Sequence, residues 1–416
     1  MRVFREPGNP YILSSEVFAV LRFCAIDEPL FPNLTNLYMC HTAGEFIPFI
    51  PSILSPRTTS ISIAFTEYKP PKVVFVASML TAFPTLCPNL QTIRLHSLPR
   101  DTIITAAVSE FLLTTNRGAL REFYADSPLT EEAREVIYTL PNLCGLLVVV
   151  EKSTFLPTMV LPNLTDMYIE YDRDRGWLEG FRGATLGKLD SITFFATSGS
   201  AQIGDFLQEF QSVALTMSAQ NTLSGFHFYT SHSWNPNYSS LLAFKQLTEL
   251  EIEFSCHDGC SSRVDDDVIL GLAQTMPKLK ILQLGKPPCG TPTGVTFKGI
   301  IALACRCPQL SRLCIHFRTD SLIEATAIGE PPPPSNRAAA VPQTNCVLTD
   351  LQVGDIPIPK GSALVVALTI LKVFPHIRKI EFDNPEWRTV VDAIDRFKSI
   401  GVHVRHTSKM HPPRLR

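Results

Sequence analysis

The apolar residues of this chain recur in one phrase. FPNLTNLYM at 31–39 returns as CPNLQTIRL at 87–95, LPNLCGLLV at 140–148 and LPNLTDMYI at 161–169. It returns again as MPKLKILQL at 276–284, CPQLSRLCI at 307–315 and FPHIRKIEF at 374–382. Apolar residues stand two, five and seven places after the proline slot, with polar residues between the last two. That alternation is the mark of a half-buried strand. Weaker copies without the full phrase put further slots at 56, 118, 187, 221, 245 and 346; in the first of these Thr58 replaces the leading apolar residue. Several of the segments between copies carry helix periodicity: 264, 268, 272 and 276 lie four apart, and 387, 390, 391, 394 and 397 mark one helix face. Asn384-Pro385 supplies an N-cap and an N1 proline for the second of these helices. The short 141–162 interval has room only for a loop or a single turn.

Thirteen copies in frame, at a mean spacing near 29 residues, fall in the leucine-rich-repeat range. Each unit is a strand plus a return segment that cannot bury its apolar face alone. The predicted fold is therefore an α/β leucine-rich-repeat solenoid of about thirteen irregular repeats, with a curved parallel sheet on the concave side and helices and loops on the convex side. Residues 1–30 are expected to cap its start, with a helix over 11–24. The solenoid runs over 31–384, a capping helix and strand over 385–406, and a basic tail over 407–416. The Pro-rich stretch at 330–343 reads as a loop bulging from one repeat, or as a ligand for an SH3- or WW-type domain.

Composition narrows the class. With 416 residues, 45% apolar and 18% charged, the chain is globular, and 37 Lys+Arg against 39 Asp+Glu leave a net charge of −2. That balance argues against a nucleic-acid binder. No apolar run reaches the roughly 18 residues of a membrane span; Leu143–Val150 and Ala363–Leu371 are of core length. The N-terminus lacks the apolar centre of a signal peptide. The eleven cysteines, an odd and scattered set, read as reduced thiols, which points to the cytoplasm or nucleus.

Catalytic signatures are missing: no P-loop, G-x-G-x-x-G, G-x-S-x-G or H-E-x-x-H pattern occurs. The sequence nominates neither an enzyme nor a cofactor. Cys256-His257-Asp258-Gly259-Cys260 with Asp265, Asp266 and Asp267 has zinc-ligand chemistry. The alternative is a strand end followed by an Asp run favourable to the dipole of the helix ending at Met276. The open strand positions are more informative. Four, six and eight places after the slot they hold ten acids: Glu122, Asp126, Asp166, Glu170, Glu249, Glu251, Glu253, Asp350, Glu381 and Asp383. Arg94, Arg312 and Lys379 are the cations there, and Tyr38, Tyr124, Tyr168, Phe195 and Tyr229 the aromatics. Tyrosine with clustered charge is typical of recognition surfaces. The expected partner is a protein with a basic patch, centred on Glu249, Glu251 and Glu253 and flanked by the tyrosines. A merely solvated face is the alternative.

YILSSEVFAVL ahead of LFPNLTNL, and ALACRCPQLSRL at 302–313, resemble fungal F-box/leucine-rich-repeat proteins of the mushroom lineage. The resemblance implies a substrate-binding repeat region of a ubiquitin-ligase receptor. It also implies an F-box, a helical module that docks on the adaptor of a cullin-RING ligase. Here only about 30 residues precede the first repeat, without an L-P-x-E opening. The F-box is therefore expected either upstream of this sequence or lost. A freestanding interaction or scaffold protein of the same fold is the alternative.

Overall fold

The computed structural model describes residues 3–5, 20, 29–42, 46–65, 71–150, 159–171, 178, 181–196, 206–216, 221–230, 236–254, 264–285, 294–319, 346–354 and 356–400. The expected N-terminal helix apart from Val20, the Cys256–Cys260 cluster, the Pro-rich stretch, the strand expected at the end of the C-terminal cap and the tail lie outside them. The chain forms two compact units, Met1–Ser200 with Gln208–Tyr229, and Ala201–Leu207 with Thr230–Arg416.

Each of the thirteen slots is followed by a strand. In the first unit these are β2 (Asn36–Thr42), β3 (Ser60–Phe65), β4 (Thr92–His96), β5 (Glu122–Ala125), β6 (Gly145–Val150), β7 (Asp166–Tyr171), β8 (Ser191–Ala196) and all but the last residue of β9 (Gly225–Thr230). An additional strand, β1 (Val3–Arg5), pairs in parallel with β2, an element the phrase pattern did not announce. Successive strands pair in parallel from β2 to β8. The second unit repeats the scheme with β10 (Glu249–Phe254), β11 (Ile281–Leu284), β12 (Arg312–Ile315), β13 (Asp350–Gly354) and β14 (Lys379–Phe382), again all parallel. The fold is α/β with parallel sheets of sequential neighbours, consistent with a repeat solenoid of about thirteen units.

Among the described residues, α-helices lie in eight of the twelve intervals and after the last slot: α1 (Ile50–Ile53), α2 (Val73–Leu86), α3 (Thr102–Thr114), α4 (Glu131–Ile137), α5 (Phe206–Thr216), α6 (Asp266–Thr275), α7 (Phe297–Arg306), α8 (Ala363–Val373) and α9 (Trp387–Ser399). Side chains cap the starts of α3, α4, α6 and α7. Asp101 accepts from Ile103 N at 2.8 Å, Asp265 from Val268 N at 2.9 Å and Thr296 from Lys298 N at 3.2 Å. Asp266 and Asp267 occupy the first turn of α6, as the dipole argument expected. Helix α9 opens later than the sequence suggested. Its N-cap is Glu386, while Asn384 makes an Asx turn by accepting from Glu386 N at 3.0 Å.

Burial follows the phrase. The residue two places after every slot is buried, from Leu34 to Ile377. Thr58 is no exception, because its hydroxyl donates to Leu34 O at 3.1 Å and so needs no water. The residues five and seven places on face the helices, where rings interlock: Phe194 meets Phe210 edge-on at 5.3 Å, and Phe210 lies 5.3 Å from Phe226. In eleven of the thirteen repeats the third residue after the slot ties the repeat to the one before it. Its N–H and the next N–H both donate to the same carbonyl one repeat earlier, as Thr165 and Asp166 do to Cys144 O at 2.8 and 3.0 Å. Hydroxyls at this position add a side-chain rung, with Thr165 Oγ1 on Cys144 O at 2.9 Å and Thr349 Oγ1 on Ser311 O at 3.2 Å. The asparagine of P-N-L makes another rung: Asn163 Nδ2 donates to Pro141 O at 2.7 Å, and Asn163 Oδ1 accepts from Lys188 Nζ at 2.7 Å. These nearest-neighbour bonds are what a stacked repeat requires.

Candidate protein-interaction face

With alternate strand residues turned to the helices, the remaining ones form rows on the open face of each sheet. In the first unit the register sets Thr92, Glu122, Gly145, Asp166 and Ser191 in one row. Arg94 and Tyr124 are opposite one another in the next, which continues with Leu147, Tyr168 and Thr193. Val149, Glu170 and Phe195 stand in the third.

Arg94, Tyr124 and Tyr168, three of the expected recognition residues, meet there. Arg94 donates to Glu122 Oε2 from both Nη2 at 2.7 Å and Nε at 3.2 Å, and its guanidinium carbon lies 5.1 Å from the centre of the Tyr124 ring. Tyr124 meets Tyr168 edge-to-face with centroids 5.4 Å apart, although β6 lies between their strands. Gly145 makes this possible, since the tip of Tyr124 fills the space that a side chain there would need. Burial, with Glu122, Tyr168 and Asp166 close by, pushes the Tyr124 phenol well above its ordinary range; burial and Asp166 also raise the Tyr168 phenol. Both hydroxyls are therefore donors at any physiological pH. Asp166 adjoins the cluster, accepting from Thr165 Oγ1 at 2.7 Å.

Sequence reasoning did not find Arg100. It sits in the loop after β4, yet its guanidinium pairs with Glu170 on β7. Asp126 holds that loop by accepting from Ser97 N and from Leu98 N, the latter at 3.0 Å. Ser97 has a φ of 58°, a left-handed conformation costing on the order of 1 kcal/mol for a residue with a side chain. Burial raises both carboxyls above the ordinary range, Asp126 against the opposing effect of its backbone donors, Glu170 against that of Arg100. The acid excess expected for this face is thus partly answered within the first unit, where Arg94 covers Glu122 and Arg100 covers Glu170. Loop crossings of this kind leave no spacing signal.

The remaining expected residues are spread more widely. Tyr38 is exposed on β2, and Tyr229 stacks on Phe195 at 5.3 Å with planes 16° apart. In the second unit Glu249, Glu251 and Glu253 alternate with the buried Leu250, Ile252 and Phe254, so all three carboxylates share the open side of β10. Gln283 Nε2 donates to Glu253 at 3.3 Å. Arg312 lines an open cleft of about 310 Å³ with Asp350, Gln352, Lys379 and Glu381, the last two ion-paired. Three open-face residues, Leu147, Thr193 and Cys314, are buried where solvent was expected. Leu147 and Thr193 are short and each lies directly opposite Tyr168, while Cys314 lies between Gln283 and Gln352, so longer side chains overhang them.

Among the described residues no three His, Cys, Asp or Glu side chains come together as a metal site, and no helix is long and apolar enough to cross a membrane. No family model matches the chain, and no curated protein matches it.

Proposed function

We propose that this chain is a non-catalytic protein-recognition module, a leucine-rich-repeat solenoid that binds its partner on the open face of its sheets. The observation that carries the reading is the Arg94–Glu122–Tyr124–Tyr168 cluster. Its rings and charges are held in place by one another, and they lie outside the helix-packed core. Such preorganised aromatic and arginine groups are the usual anchors of binding surfaces. The acidic stripe of Glu249, Glu251 and Glu253 supports a partner with a basic patch, since three like charges on one strand gain from an incoming cation.

On the resemblance of its repeat phrasing, we assign the module to the substrate-binding region of an F-box-type ubiquitin-ligase receptor acting in the cytoplasm or nucleus. A second reading is a freestanding interaction or scaffold protein of the same fold. Affinity capture with the intact gene product, read by mass spectrometry, separates the two. The receptor reading predicts a ligase adaptor and cullin with the partner. Capture of the partner without them contradicts it, and retention of the partner by Tyr124→Ala with Tyr168→Ala contradicts the recognition face.

A further inference from the structure

We infer that Glu170, Asp126 and the exposed ring of Phe195 form a guanidinium subsite on the first unit, which Arg100 occupies internally and a partner's arginine takes over on binding. The inference rests on the recognition reading above and goes beyond it in naming the contact.

Four observations carry it. First, the ion pair is layered: the Arg100 side chain is 69% exposed and that of Glu170 only 15%, so the carboxylate belongs to the surface and the guanidinium lies on top of it. Second, the loop is anchored independently of that guanidinium, through Ser97 N and Leu98 N on Asp126, so Arg100 can swing away while the loop stays. Third, Phe195 is the register partner of Glu170 and lies flat against Tyr229, which offers a ring beside the carboxylate. A planar guanidinium suits such a pairing of ring and carboxylate better than an ammonium. Fourth, the same sheet builds this arrangement once more: Arg94 lies over Tyr124 and forks onto Glu122.

The exchange is easy. The Arg100 end of the pair is largely solvated and gains little from it, so displacing Arg100 should weaken an incoming arginine by about fivefold or less. Burial already holds the Asp126 and Glu170 carboxyls above their ordinary range, and Asp126 contributes to the shift at Glu170. A better-buried cation would relieve both.

The test is fluorescence anisotropy of the full chain with a labelled Gly-Ser-Arg repeat peptide and its Gly-Ser-Lys counterpart. Arg100→Ala should bind the arginine peptide about two- to fivefold more tightly than the parent, with a smaller gain for the lysine peptide. Arg100→Glu, which leaves Glu170 in place, should also tighten it. Glu170→Gln in the Arg100→Ala background should remove the gain. Unchanged or weaker binding by both Arg100 variants overturns the subsite. If the peptide is then still lost when Glu249, Glu251 and Glu253 become Gln, the recognition reading stands without it. If no form of the chain binds either peptide, both the subsite and the basic-partner reading fail.

Discussion

The hydroxyl end of Tyr124 occupies the space above Gly145: a Cβ built on that glycine would stand 2.1 Å from Oη and 2.8 Å from Cζ. Gly145→Ala therefore has to push the ring aside. The clash is with the tip of a side chain rather than with backbone, so the expected stability change is within about 1 kcal/mol. The Tyr124–Tyr168 contact should nevertheless be lost. A thermal melt near the parent's with an altered near-UV tyrosine spectrum is the expected result; an unaltered spectrum contradicts it.

Two helix glycines should respond in opposite directions. At Gly299 in α7 a Cβ would lie 2.3 Å from Asp266 Oδ1, and Asp266 is held by Thr296 N at 2.7 Å and Thr296 Oγ1 at 2.6 Å. Gly299→Ala should destabilise by about 1–3 kcal/mol. At Gly271 in α6 the nearest atoms, on Leu242, are 3.8 Å away. Gly271→Ala should stabilise by about 0.5–1 kcal/mol through helix propensity. Denaturant midpoints of the two variants decide this, and a shared sign sinks it.

Tyr138 is fully buried at the end of α4, and its hydroxyl has no hydrogen-bond partner. Burial raises its phenol far above the ordinary range, so the group is a neutral donor with nothing to donate to. Tyr138→Phe removes that unsatisfied group and keeps the ring. The expected outcome is no change or a gain of up to about 1 kcal/mol in urea unfolding; a clear loss shows that the hydroxyl has an unrecognised role.

The described cysteines differ in reactivity by position. Burial pushes the Cys87, Cys307 and Cys314 thiols up to about 12, and these side chains are inaccessible. Cys305 is exposed and Cys144 half-buried. Since the thiolate is the reactive form, native labelling near neutral pH should, of these five, take Cys305 first and leave Cys87, Cys307 and Cys314 unmodified until the chain unfolds. All eleven cysteines of the sequence should then react without a reductant. Peptide mapping of the labelled protein reads both results.

Much of the fold was legible because the repeat phrase encodes burial directly. Positions two, five and seven must be apolar for a strand to lie on a helix, and the structure buries Leu164, Met167 and Ile169 in that order. The three carboxylates of β10 were placed on one side by the same alternation. Three things were not legible, each for a physical reason. The β1 strand has too few residues to show a period. Arg100 reaches Glu170 through a loop whose path depends on Asp126 and on the left-handed Ser97. Leu147 and Cys314 are buried by their neighbours' length rather than by their own position.

The central claim, that the open face binds a basic partner, is tested most directly by the association kinetics of the captured partner with the parent and with the Glu249→Gln, Glu251→Gln, Glu253→Gln triple variant over a range of salt. Removing three like charges from one strand should leave folding stability unchanged or slightly higher. Association should slow, and its salt dependence should flatten, because electrostatic steering is lost. A triple variant that associates as fast and as salt-sensitively as the parent would contradict the account and leave this face a solvated surface.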